Sequence, residues 1–211
     1  MGCENSKPTV VPNAHVEPDP EVVTTDFSDT QIDTIRSTWP VLSRDVIKIG
    51  AEIFVRIFID APGVKKLFEK FSVYNVDDLQ KSPQFREHAE KFMQVIQNIV
   101  DNLECLAPVT QHELMALGAS HVLFDGFDAH YFSVYSKCML EVWEQELGEE
   151  FIMEVRECWK AVFEYLVTHM TEGYDMCVLE QKNSIATMQD NQHRNNKVQK
   201  EYDFLPDVNA T

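Results

Sequence analysis

Phe85-Arg86-Glu87-His88-Ala89-Glu90-Lys91-Phe92-Met93 and Leu117-Gly118-Ala119-Ser120-His121 are the two stretches whose reading decides the fold of this chain. Their histidines stand thirty-three positions apart. On one continuous helix that separation spans ~50 Å, so the two imidazoles can share a metal only if they sit on separate helices that face each other.

Both segments carry helical apolar spacing. Phe85, Ala89, Phe92, Met93, Ile96, Ile99, Val100 and Leu103 fall on one stripe, and at 100° per residue His88 lies about 60° from its centre, at the rim of the buried face. Leu114, Leu117, His121 and Phe124 recur at i, i+3, i+7 and i+10, which puts His121 within an apolar face, with Gly126 as the expected stop. Outward from this pair the same period continues. Phe27-Ser28-Asp29-Thr30-Gln31-Ile32 reads as a helix start, with Ser28 and Gln31 forming a capping box and Phe27 stapling onto Ile32. Ile32, Ile35, Trp39 and Leu42 follow at helical spacing, and Pro40 is expected to kink that helix or end it shortly beforehand. Val46, Ile49, Ile53, Phe54, Ile57 and Phe58 mark a second helix before Ala61-Pro62-Gly63, and Leu67 to Phe71 a short segment. Two longer helices close the body, Tyr131 to Leu147 and Phe151 to Leu166, separated by Gly148. No period-2 run competes, so the sequence predicts an all-α domain of seven or eight helices.

A chain of 211 residues with 44% hydrophobic content builds one sizeable core with tails to spare. A net charge of -17, from 18 basic against 35 acidic residues, excludes a nucleic-acid partner, which needs a basic footprint, and repels an anionic bilayer. Five cysteines, Cys3, Cys105, Cys138, Cys158 and Cys177, are too irregular for a disulfide scaffold and point to a reducing compartment. Cys138 and Cys158 lie on successive helices, where either an approach or, more commonly, two buried free thiols results. No apolar run approaches the ~20 residues of a membrane span, and the N-terminus lacks the apolar segment of a secretory signal.

Met1-Gly2-Cys3-Glu4-Asn5-Ser6 fits the myristoylation pattern at Gly2. One myristoyl chain binds membranes only marginally, and Lys7 is the sole Lys or Arg in the first twenty-five residues, so Cys3 is the expected palmitoylation site that completes the anchor. Pro8, Pro12, Pro18 and Pro20 make residues 7–26 an extended spacer. The expected organisation is an acylated Pro-rich tail at 1–26, a folded domain at 27–179, and a polar disordered tail at 180–211. The expected location is the cytoplasmic face of the plasma membrane.

Singly, a histidine on an apolar face is more often a hydrogen-bonded core residue than a ligand. The surrounding phenylalanines, Phe54, Phe68, Phe71, Phe92, Phe127 and Phe132, serve equally as plain core or as the lining of a flat hydrophobic macrocycle. The order of motifs adds more. Trp39-Pro40, Pro62 with Phe68 six positions on, the His88 and His121 stretches, and Trp159-Lys160-Ala161-Val162-Phe163 together resemble a globin, from about residue 28 to 172.

The resemblance implies a globin fold, a three-over-three helical sandwich around haem b. It makes His121 the proximal iron ligand, its ring oriented by the Leu117 carbonyl, and His88 the distal histidine. Phe68 would wedge the haem, Phe54 and Phe92 would wall the distal side, and Phe127 and Phe132 stand beside the His121 stretch. Lys91 is either a propionate partner or a solvated lysine. His15, His112, His130, His169 and His193 match nothing in the pattern. Phe92 departs from the small aliphatic residue common in oxygen-storage globins, which speaks against an oxygen carrier. The acylation signal and the two tails narrow the likeness to the membrane-anchored relatives of neuroglobin, which implies a six-coordinate haem with His88 on the iron. The implied ligands are oxygen, nitric oxide, carbon monoxide and nitrite, with a reductase or electron donor as partner. The alternatives are a five-coordinate oxygen carrier or store, a nitric oxide dioxygenase or nitrite reductase, and a haem-free helical adaptor.

Overall fold

Ser28 opens the first helix as the capping pattern predicts: its hydroxyl accepts from the Gln31 N–H, and the Gln31 carboxamide accepts from the Ser28 N–H. The computed structural model describes residues 27–68, 76–79, 81–106 and 108–203, with backbone alone at 76–77 and 197–203. The acylation positions Gly2 and Cys3, and Phe71, lie outside the described residues. Helix α1 (Asp29–Leu42) is followed by α2 (Val46–Asp60), α3 (Pro62–Leu67), α4 (Val76–Leu79), α5 (Pro83–Asp101), α6 (Val109–Ser120), α7 (His130–Leu147) and α8 (Met153–Asp203). No strand occurs among the described residues.

Three elements refine the expectation. Of the two outcomes expected at Pro40 the early end is excluded, because α1 runs through it to Leu42. The helix expected to reach Gly126 stops at Ser120, and His121–Leu123 tighten into a 3-10 turn. The cause is competition for one carbonyl: Leu117 accepts both the Ser120 hydroxyl at 2.6 Å and the His121 imidazole at 2.8 Å, and such side-chain bonds give the backbone an alternative to helical continuation. Third, residues 180–203 form the continuation of α8 instead of an unstructured tail. Neither Gly nor Pro interrupts the sequence between Gly173 and Pro206, and Arg194 pairs with Asp190 one turn away, which supports an exposed helix. From Leu179 to Asn196 every residue is exposed.

Burial of the apolar faces sets the architecture. Helix α2 packs on α5 and α7, and α8 packs on α6 and α7. A tryptophan cluster pins α1 into this frame. Trp159 stacks within 5.8 Å of Trp39 and 5.7 Å of Trp143, and its indole N–H donates to the Thr38 hydroxyl at 3.0 Å. Trp39 donates to Gln97 on α5 at 2.7 Å, so both indoles keep a polar partner while their rings fill the core. Cys138 and Cys158 are free and buried.

The packing of α6 on α8 is a backbone-to-backbone approach that depends on two glycines. A Cβ on Gly118 would stand 1.9 Å from the Met170 carbonyl oxygen, and one on Gly173 would stand 1.9 Å from that of Met115. Each helix therefore offers its bare backbone to the other, three residues before His121.

Candidate functional site

His88 projects from the middle of α5 against Phe54 of α2, with ring centroids 4.8 Å apart, and against Phe68 at 5.0 Å. Burial lowers its pKa to about 4, helped by the nearby His121 and Lys91 charges. Desolvation penalises the charged form, so the imidazole is neutral at physiological pH.

His121 caps α6 and turns toward the same space. Its ring lies 4.8 Å from Phe127 and 5.2 Å from Phe132. Burial lowers its pKa too, partly offset by the bond to Leu117. A carbonyl only accepts, so Nδ1 carries the proton and donates to Leu117 at 2.8 Å. Nε2 is left with its lone pair bare, the arrangement of an oriented metal ligand.

Both histidines line a cavity of about 280 Å³, together with Phe54, Lys91, Phe92 and Leu117. Phe132 completes the predicted part of that wall. The remaining two predicted residues, Phe68 and Phe127, line a smaller adjoining space of about 60 Å³, again with both histidines. The sequence-predicted set is thus brought together around one centre. Lys91 keeps its ammonium on Glu87, one turn back, at 2.7 Å, while its stem borders the cavity. Among the described residues no group of three or more His, Cys, Asp or Glu converges on a point.

Several lining residues escape the sequence reading. Tyr135 borders both spaces, and burial holds its phenol above the ordinary tyrosine range. It sits one helical turn after Phe132, on the same face of α7. Val95 on α5 and Leu166 and Met170 on α8 close the apolar wall. Tyr174 donates to the Phe127 carbonyl at 3.0 Å and steadies that ring. Their signal was present as helical period, but a period separates a buried face from a wet one and not a packed neighbour from a cavity wall. Phe124, read as buried stripe, is 51% exposed beside Leu123 at 81%, because the 3-10 turn rotates both outward at the cavity's edge.

A family model described as Globin matches residues 51–170. Cytoglobin-2 of Danio rerio is 30% identical over 149 residues, covering 70% of this chain and 83% of the relative. Cytoglobin-2 of Oryzias latipes is 28% identical with the same coverage. Among solved structures, a hexacoordinated heme protein from an anhydrobiotic tardigrade, determined at pH 4, superposes with a TM-score of 0.67 at 21% identity, over 71% of this chain and 96% of that one. The fold, the matched segment and the cytoglobin likeness together show that the chain belongs to the globin family.

Proposed function

We propose that this globin is a membrane-tethered, six-coordinate haem protein that binds oxygen, nitric oxide or nitrite in redox protection or signalling. The observation that carries the reading is the pair of neutral imidazoles, from α5 and the end of α6, bordering one apolar cavity. The residues fit the group. His121 has a bare Nε2 fixed by its bond to Leu117, and the lining rings are stacked edge-on around a space lined mainly by apolar side chains, which would suit a flat apolar macrocycle. Haem b, when bound, contributes an iron that exchanges electrons and takes small axial ligands.

His121 serves as the fixed ligand and His88 as the gate. An external ligand enters only in the fraction of molecules whose His88 has swung away, and apparent affinity falls by that fraction. Phe54 and Phe68, both packed against the His88 ring and against each other, restrict that swing. Lys91 sits at the border of the cavity, where exchanging Glu87 for a propionate costs only an exposed ion pair. The tether is the acyl pair on Gly2 and Cys3, placing the protein on the cytoplasmic face of the plasma membrane, as in globin X, the membrane-anchored relative of neuroglobin. Supporting the coordination state, the tardigrade protein of the same fold is described as hexacoordinated. Nitrite chemistry would need a separate reductase or electron donor.

The test is the absorption spectrum of the ferrous, ligand-free protein. Wild type should show the sharp, split visible bands of a low-spin six-coordinate iron, and His88→Leu should show the broad band of a five-coordinate one. Identical ferrous spectra would mean that His88 does not bind iron.

A further inference from the structure

Five polar side chains border the main cavity: His88, Lys91, Ser120, His121 and Tyr135. Four are engaged. The Ser120 hydroxyl donates to the Leu117 carbonyl at 2.6 Å, Lys91 donates to Glu87 at 2.7 Å, and the two histidines are the proposed haem ligands. The Tyr135 hydroxyl, on a half-buried ring, forms no hydrogen bond with the described residues, and tyrosine keeps its hydroxyl where a partner is available.

Its place in the cavity is well defined. The Tyr135 ring lies 6.0 Å from Phe54, edge-on, and 6.3 Å from Phe92, and Phe54 is the ring that packs on His88 at 4.8 Å. One turn earlier on the same helix, Phe132 packs on His121. Helix α7 therefore runs from the His121 side to the His88 side, and Tyr135 stands on the side where an external ligand would be taken up.

We propose that the Tyr135 hydroxyl is the hydrogen-bond donor for a diatomic ligand admitted to the cavity when His88 is displaced. The inference rests on the haem reading above. His88 must leave the ligand's position to admit it, whereas the Tyr135 phenol, packed on Phe54 and Phe92, need not. Burial holds the phenol protonated across the neutral range, so it donates and never competes as an anion. A neutral donor favours ligands that carry negative charge on their outer atom, as oxygen does and carbon monoxide scarcely does.

Stopped-flow measurement on the haem-loaded full-length protein tests this with Tyr135→Phe, which removes one oxygen atom and keeps the ring packing. Loss of one hydrogen bond should raise the oxygen dissociation rate about ten-fold, leave carbon monoxide dissociation nearly unchanged, and move the carbon monoxide stretching band to higher wavenumber. If Tyr135→Phe changes neither rate nor band while His88→Leu accelerates oxygen loss, the donor is His88 and the proposal is overturned. The starting absorption spectrum separates this failure from failure of the underlying reading. A colourless protein overturns both, whereas a five-coordinate ferrous spectrum overturns only His88 coordination, and the Tyr135 comparison is then read in the same sample.

Discussion

Burial, with no acidic partner among the described residues, keeps both histidines neutral, and this ties the site to the stability of the fold. Desolvation lowers the His88 pKa from 6.5 to about 4 and lowers that of His121 as well. In the haem-free protein the unfolded chain therefore binds more protons than the folded one between these values. The stability contributed by the neutral imidazoles is complete above about 6.5 and is lost as pH falls toward about 4. For His88 alone the difference amounts to roughly 3 kcal/mol. Urea unfolding of the haem-free protein at a series of pH values should show the midpoint falling through this window, and His88→Leu should flatten the fall. An equally steep decline in the variant would assign the acid sensitivity to other groups. At this scale the sequence was informative about residue types whose chemistry is unusual on an apolar face, which is why His88, His121 and the phenylalanines were legible. Tyr135 was not, since a tyrosine in an apolar stripe looks the same whether its hydroxyl faces a neighbour or a cavity.

Helix α6 carries His121 to its place, and its packing on α8 fixes that place. Gly118 and Gly173 each meet the other helix's backbone, and neither carbonyl can rotate aside as a flexible side chain would. Gly118→Ala should force α6 away from α8, at a cost of about 1 to 3 kcal/mol typical of overpacking, offset by about 1 kcal/mol from alanine's better helix propensity. Denaturation midpoints should fall, and because His121 follows three residues later, the loaded protein should lose haem faster. An unchanged midpoint and haem-loss rate would show that the helices separate without consequence. The positions of the long helices were legible because 3.6-residue periodicity survives in any sequence that buries one face. Their ends were less so. The stop at Ser120 depends on which group captures the Leu117 carbonyl, and the extension of α8 to Asp203 depends on the absence of helix breakers in a segment whose polarity reads as a tail.

The whole molecule presents an electrostatic problem to any membrane. A net charge of -17 is repelled by an anionic leaflet, Lys7 is the only Lys or Arg ahead of the folded body's first helix, and no described helix is long and apolar enough to span a bilayer. The proposed tether is hydrophobic and covalent. A single myristoyl chain gives an association constant of only about 10⁴ M⁻¹, and each buried methylene of a second chain adds about 0.8 kcal/mol. Two consequences follow that a polybasic anchor would not share. Raising salt should leave the wild-type protein on membranes, because screening weakens repulsion and removes no attraction. Removing the lipids should release it in steps: Cys3→Ser, keeping the myristoyl group alone, should partition between membrane and cytosol, and Gly2→Ala, which blocks myristoylation, should move most of the protein to the soluble fraction. Cell fractionation of the three forms at low and high salt reads both effects. Release of the wild type by salt would point to a protein partner holding it by charge, and identical fractionation of wild type and Gly2→Ala would remove acylation from the account of this globin.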